Sequence, residues 1–456
     1  MTTVGYGDFF PTTTLGRAIG VVVFYTGVIF VCMPISIIGM EFENAFDEYE
    51  KKTKLAKSSR EISSYDGAAM HRRTVLKLGG MAAIGLGVPG CVTQLSPATP
   101  AGRPILTLPI VRASWDRVIR TTVGLRPYRP SGFVLRATKL DDTLLVHNYG
   151  HGGTGHSLSW GCGAVAADLA LEQGGRRAAV IGCGIVGLTT TRQLQRRGFD
   201  VTIYAKTVPP DTTSNMALAG FTPTSGLVDR DERTPAWDEQ FRRVAEISYR
   251  ELQLLVGRPY GVSWIDNYST MNQRPLDLSD VGSQSLLPPA LRTGRDVLGP
   301  GEHPFPLRYA TRRTTLRIEP SIYLDAMVKD VLLFGARIVI RGFETLRDLM
   351  TLDEPVVVNC TGLGARDLFG DDALIPTKGQ LTVLVPQPEV NYRTSGGITP
   401  QPGIGIHMMP RADGIVLGGT SERGEWSLEP DEDARRRVVE GHMALYGAMR
   451  PPTPGG

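Results

Sequence analysis

The chain has 456 residues, 41% of them hydrophobic, which is enough for one large domain or two to three ordinary ones with a sizeable core. A formal net charge of +3 gives no support for nucleic-acid binding, which needs a concentrated basic face. The five cysteines, Cys32, Cys91, Cys162, Cys183 and Cys360, are scattered, odd in number and without metal spacing. They argue against a disulfide framework or a zinc site, and the 53 glycines point instead to backbone-lined binding loops.

Residues 1–59 form the first segment. Residues 18–40 are an almost unbroken apolar run, long enough to span a bilayer core with some tilt. Charged residues follow at 41–57, as for a helix emerging into water, and the alternative is a buried helix of a soluble core. Just before the run, Thr3-Val4-Gly5-Tyr6-Gly7-Asp8 resembles the selectivity filter of potassium channels. In such filters the backbone carbonyls replace the ion's water shell. Pro34 within the run resembles the kink of a voltage-gated channel's inner helix. With no voltage sensor or pore helix beside it, the segment reads as a channel fragment from a gene fusion or an imperfect gene model. In that reading Thr3, Val4, Gly5, Tyr6 and Gly7 are the remnant of a potassium filter, and no other metal site is expected.

Residues 60–110 read as a signal-like segment and a linker. Met70-His71-Arg72-Arg73-Thr74 opens a basic, then apolar, then small-residue stretch over 70–91 that resembles a bacterial twin-arginine export signal. Met70 is then the ancestral initiator, and the alternative is a short amphipathic linker helix. Residues 96–104 are rich in Pro and Ala and read as a linker.

From 111 to 456 the pattern is globular. Strands are expected at 143–147, 178–181, 201–204, 337–340, 355–359, 380–385 and 414–417, and helices at 161–172, 185–197, 241–256 and 323–334. Gly174-Gly175 reads as a hinge. Residues 178–204 form a βαβ unit with short turns, and the late strands belong to a second, more antiparallel sheet. The fold class is therefore α/β: a Rossmann-like nucleotide-binding domain interleaved with a mixed or antiparallel substrate domain, preceded by one transmembrane helix.

Gly182-Cys183-Gly184-Ile185-Val186-Gly187 follows an apolar strand and opens a helix, with a second strand about 20 residues on. Gly182 serves the tight turn, Gly184 the close approach of a pyrophosphate, and Gly187 the packing of helix on sheet. The free N–H groups at Ile185 and Val186 then face the phosphates. The second strand ends in Lys206 where a ribose-binding carboxylate is usual, which argues against a standard NAD site and leaves Lys206 beside phosphate or adenine. A second glycine turn follows the strand at 355–359, with Thr361 and Gly362 at its bend.

Together these motifs resemble the D-amino-acid oxidase family of FAD-dependent oxidoreductases over about residues 115–450. The matching pieces include Ala178 to Lys206, the turn Thr212-Thr213-Ser214-Asn215, Lys378-Gly379-Gln380, Leu417-Gly418-Gly419-Thr420, and Gly124-Leu125-Arg126-Pro127-Tyr128-Arg129. The most specific is His147-Asn148-Tyr149-Gly150-His151-Gly152-Gly153-Thr154-Gly155. The resemblance implies FAD as cofactor. It places Gly152, Gly153, Thr154, Gly155, His156 and Ser157 along the isoalloxazine, with Gly153 at the reacting end. It also implies a reordered chain: the segment 111–175, last in the family, comes first here. A circular permutation with Gly174-Gly175 as the new link accounts for that order, since domain termini often lie close together.

The implied chemistry is hydride transfer from the α-carbon of an amino acid, a D-amino acid by resemblance, or a related amine to flavin. Dioxygen then accepts the electrons and leaves as hydrogen peroxide. A substrate carboxylate calls for a bidentate arginine. The family's position aligns with Val134, so Arg136, two residues on and on the same strand face, is the candidate, with Arg126 and Arg129 as alternatives. His407 aligns with a family tyrosine of the substrate pocket and either touches substrate or is merely packed. Two other readings remain open at this point. One is a flavin dehydrogenase that passes electrons to a carrier. The other is a potassium-channel subunit, membrane-bound through its N-terminal helix, that carries a flavoprotein domain.

Overall fold

The computed structural model describes residues 106–276, 286–397 and 405–450. In chain order its strands are β1 (Val118–Tyr128), β2 (Val134–Leu140), β3 (Thr143–Tyr149), β4 (Arg177–Ile181), β5 (Asp200–Ala205), β6 (Val262–Met271), β7 (Asp296–Leu298), β8 (Tyr309–Ile318), β9 (Arg337–Ile340), β10 (Val356–Asn359), β11 (Ile375–Leu384), β12 (Tyr392–Ser395), β13 (His407–Arg411), β14 (Gly414–Gly418) and β15 (Glu422–Arg423). The longer helices are α1 (Gly155–Ala170), α2 (Ile185–Arg196), α3 (Pro235–Gln253), α4 (Pro320–Leu333) and α5 (Glu432–Gly447).

Six strands form one sheet in the order β2-β3-β10-β4-β5-β9. The strands from β3 to β9 run parallel, and only β2 pairs antiparallel, with β3. Parallel strands are covered on both faces, so they read as continuous apolar runs. Leu144 and Val146 of β3 face the cluster that includes Leu158 and Leu188, while Leu145 faces the opposite cluster with Ala179 and Val357. The unit β4–α2–β5 is the βαβ crossover expected from the sequence.

The second sheet has the order β1-β11-β14-β13-β12-β6-β8-β7, with β15 on β11. It is antiparallel except where β12 pairs with β6. Helix α5 buries Val438, Val439, Leu445 and Tyr446 against Leu384, Met408 and Leu417 of this sheet. The chain from 118 to 149 serves both sheets: β1 ends one, and β2 and β3 complete the other. After α1 the chain turns at Gly174, which takes a left-handed φ of 77°, and enters β4.

Three helices start earlier than the sequence reading has them, α4 by three residues and α1 and α3 by six. Helix α1 begins at Gly155 instead of 161, so the end of the glycine-rich loop is itself helical. Its glycines lower intrinsic helix propensity, but a Cβ at Gly161 would overlap the Val244 carbonyl oxygen of α3, so glycine there permits a close helix crossing. Helix α3 begins at Pro235 instead of 241. Thr234 caps it by accepting from the Trp237 N–H at 3.2 Å, and Pro235 fills the first turn. No helix among the described residues is long and apolar enough to cross a membrane. The predicted span at 18–40, the filter-like motif and the signal-like segment at 70–91 lie outside the described residues.

Candidate active site

Strand β4 ends at Ile181, and the chain turns at Gly182 with φ 115°, its N–H donating to the Tyr204 carbonyl at 2.8 Å. A Cβ there would lie 2.5 Å from the Cys360 carbonyl oxygen, and one at Gly187 would overlap the Gly182 carbonyl oxygen. The turn thus admits no side chain where the two glycine loops meet. The Ile185 N–H donates to Ser214 Oγ at 3.0 Å, which holds the 213–216 turn over the start of α2. The second loop is braced by Asn359, whose Oδ1 accepts from the Thr361 N–H at 3.1 Å and its hydroxyl at 2.7 Å.

The loop after β3 closes the same space from the other side. A Cβ at Gly152 would overlap the Gly226 carbonyl oxygen, and the Gly153 N–H donates to that oxygen at 3.3 Å. The Thr154 hydroxyl donates to the His151 carbonyl at 2.7 Å. Ser157 Oγ donates to the Gly220 carbonyl and accepts from the Thr222 N–H, both at 2.9 Å. Asn148 donates from Nδ2 to Thr190 Oγ1 of α2 at 3.0 Å. His151 stacks on Phe133 with ring centroids 5.5 Å apart. Burial holds both His151 and His156 at a pKa of about 4, with Arg411 adding to the effect at His156. Both rings are therefore neutral at neutral pH.

These loops enclose one elongated cavity of about 1210 Å³. Of the residues singled out in the sequence, Gly182, Gly184, Ile185, Val186, Lys206, Thr212, Thr213, Ser214, Thr361, Gly362, Gly152, Gly153, Gly155, His156 and His407 line it. Gly187, Thr154 and Ser157 stand behind the lining and shape it through the contacts above. Lys206 is exposed at the end of β5, where the Arg341 N–H meets the Ala205 carbonyl at 2.9 Å.

Arg136 is a correction. It is exposed on β2, opposite His147, and does not line the cavity. Val134 does share its strand face, but it packs against Tyr149, Ala365 and Leu374 and does not line the cavity either. The arginines that do face the cavity near His407 are Arg126 of β1 and Arg393 of β12. Arg126 was one of the alternatives, whereas Arg393 carried no signal, because an arginine between Tyr392 and Thr394 looks like any strand-surface residue. Burial pulls the pKa of Arg126 down, and that of Arg393 to about 10. Burial, followed by Arg393, His442 and Arg126, holds His407 at about 3. His407 is thus a neutral ring beside two cations.

A dinucleotide fits this space on three observations. The glycines at 182 and 187 leave room only for backbone, the first turn of α2 opens onto the cavity, and the cavity runs from the end of β5 past the loop at 152–156 to His407.

Residues 177–451 match the family described as FAD dependent oxidoreductase, and residues 1–44 match one described as ion channel. The chain is 29% identical over 298 residues to a D-amino-acid oxidase of Rubrobacter xylanophilus, across 60% of this chain and 78% of that protein. It is 31% identical over 269 residues to a D-amino-acid oxidase of Streptomyces coelicolor, across 58% and 76% respectively. It is 27% identical over 276 residues to a D-aspartate oxidase of Homo sapiens, across 60% and 76%.

Proposed function

The chain belongs to the FAD dependent oxidoreductase family, and from that premise we propose that it is an oxidase of D-amino acids that uses dioxygen as electron acceptor. The cofactor is FAD and the bond oxidised is a CH–NH2 bond. The substrate loses two electrons and two protons, dioxygen leaves as hydrogen peroxide, and the imino acid hydrolyses to an oxo acid and ammonia. Bound FAD supplies the two-electron oxidant that takes hydride from the α-carbon.

The protein's part is binding, orientation and electrostatics. The turn at Gly182 and Gly184 and the start of α2 would hold the pyrophosphate, with Ser214 fixing the turn above it. Thr212, Thr213, Thr361 and Gly362 would line the path of the dinucleotide. Gly152, Gly153, Gly155 and His156 would lie along the flavin ring. Arg126 would take the substrate α-carboxylate as a bidentate donor. Neutral His407 beside it leaves the substrate amine free of a third positive charge. The observation that carries this reading is the junction of the loop at 152–157 with the Gly182 turn around one cavity.

The same junction supports a permuted chain order. The family match begins at 177, yet the segment before it lines the cavity from 124 to 156. Val111 and Met449, near the two ends of the described globular part, share one core cluster. Residues 1–59 we read as a channel-derived segment that holds the enzyme at a membrane, which the match at 1–44 supports.

The test is the visible spectrum of the purified protein before and after anaerobic addition of D-amino acids, followed by an oxygen electrode. Flavin bands that bleach, then oxygen uptake with peroxide release, are expected. Flavin that bleaches but does not react with oxygen would replace the oxidase by a dehydrogenase.

A further inference from the structure

A guanidinium cannot shed its charge at ordinary pH, so an arginine taken out of water normally has a carboxylate beside it. Several other enclosed arginines among the described residues have a partner, and Arg192, which lacks a carboxylate, donates to Gln195 Oε1 at 2.6 Å. Arg411, only 7% exposed, holds Asp413 at 2.8 Å, and Arg129 holds Asp371 at 3.0 Å. Even Arg423, half exposed at the cavity wall, holds Asp229 at 3.2 Å. Arg126 and Arg393 depart from that pattern. Among the described residues neither guanidinium has an ion pair or a hydrogen bond, and Nε of Arg393 is buried without a partner. Burial alone depresses both, with no carboxylate acting on either.

Their placement is shared. The Arg126 side chain lies 3.5 Å from where a Cβ on Gly153 would stand. Nη1 of Arg393 lies 3.4 Å from the same point on Gly220, whose carbonyl receives the Ser157 hydroxyl. Both act on His407. They therefore flank the end of the cavity beside the loop at 152–157, whereas the turn suited to a pyrophosphate is bordered by Ser214 and Cys360.

We propose that the two unpaired arginines select a substrate with two carboxylates, an acidic amino acid, with the α-carboxylate on Arg126 and the side-chain carboxylate on Arg393. This rests on the amino-acid oxidase reading. A neutral amino acid would leave one buried cation unpaired, and that penalty is the source of the selectivity.

The experiment compares ligands on the full-length, flavin-loaded protein. Succinate and malonate are titrated against propionate by the perturbation of the flavin spectrum, and D-aspartate and D-glutamate are compared with D-alanine as substrates. The dicarboxylates are expected to bind on the order of 100-fold tighter, and the acidic substrates to show a similar advantage in kcat/KM. In Arg393→Leu the acidic substrates should lose on the order of 100-fold while D-alanine changes by less than about tenfold. Equal binding of succinate and propionate, or equal turnover of acidic and neutral substrates, would overturn the proposal and leave both arginines clasping one carboxylate. Tight succinate binding without reduction by any amino acid would keep the two-anion site and overturn the oxidase reading. Should Arg393→Leu fail to hold flavin, the wild-type ligand series decides alone.

Discussion

Ser157 and Gly220 lie 63 positions apart, and the hydroxyl of the first donates to the carbonyl of the second at 2.9 Å. The same oxygen accepts the Thr222 N–H, so one side chain ties the glycine-rich loop to the segment that faces it. The Ser157 side chain and Gly220 are buried, and Thr222 is half-buried. In Ser157→Ala that cross-link is lost, although the Thr222 N–H still reaches the Gly220 carbonyl at 3.1 Å. A loss of about 1–2 kcal/mol is expected from the two deleted hydrogen bonds. The loop at 152–156 loosens with it, and kcat/KM falls about 10- to 100-fold through misplacement. Denaturant melts and steady-state kinetics on the same preparation check both, and a variant with unchanged kinetics would separate this loop from the chemistry.

Gly187 offers a sharper test of the cofactor cradle. A Cβ there meets the Gly182 carbonyl oxygen, which is backbone and cannot swing aside. Gly187→Ala should push α2 off the turn and abolish flavin absorbance in the purified protein. Gly447→Ala is the control. It lies at the end of α5 with nothing within 4 Å of an added Cβ, so the change should stabilise by up to about 1 kcal/mol and leave flavin content intact. Retention of stoichiometric FAD in Gly187→Ala would refute the assigned pyrophosphate turn.

The buried histidines set an acid limit. His151, His156 and His442 are each held at about 4 by burial, against an ordinary value of 6.5. Their folded pKa lies below the unfolded one, so between those values the unfolded chain binds more protons. Stability is then full above 6.5 and is lost as the pH falls toward 4. At about pH 5 each fully buried ring accounts for about 1–2 kcal/mol. The melting temperature should drop clearly between pH 7 and 5, before most carboxylates titrate. A flat profile over that window would mean that these rings are charged or solvated in the fold.

What the sequence showed and hid follows from the range of the interactions involved. The Gly182 turn was legible because its chemistry is local: strand, glycines and helix start lie within a dozen residues. The loop after β3 was legible by its composition, although its helical continuation from Gly155 was masked by glycines that exist to admit α3. The ligand arginines were not legible. Arg136 shares a strand face with Val134, but only the place of β2 at the sheet edge leaves Arg136 exposed and off the cavity wall. Arg393 enters the cavity because β12 sits between β13 and β6, a fact of topology that neighbouring residues do not encode.

The permuted order can be tested by undoing it. The Tyr392 hydroxyl donates to the Pro109 carbonyl at 2.7 Å, and the Arg450 N–H donates to the Pro304 carbonyl at 2.9 Å, so one end of the described part is anchored on β12 of the second sheet and the other on its β7–β8 connection. The turn at Gly174 needs a left-handed residue but meets nothing around it, so a cut there removes no packing. A variant opened between Gly174 and Gly175, with the C-terminal end joined to residue 106 by a short flexible linker, should fold around the same cavity. It should keep its flavin and come within about 2 kcal/mol of the parent in stability, since loop closure costs grow slowly with length. Deletion of 106–174 should instead remove β2 and β3 from one side of the six-stranded sheet, together with the loop at 152–157, and eliminate flavin binding. If the relinked chain fails to bind flavin while the parent succeeds, the two ends do not correspond to a joined ancestral chain, and the order seen here is not a permutation.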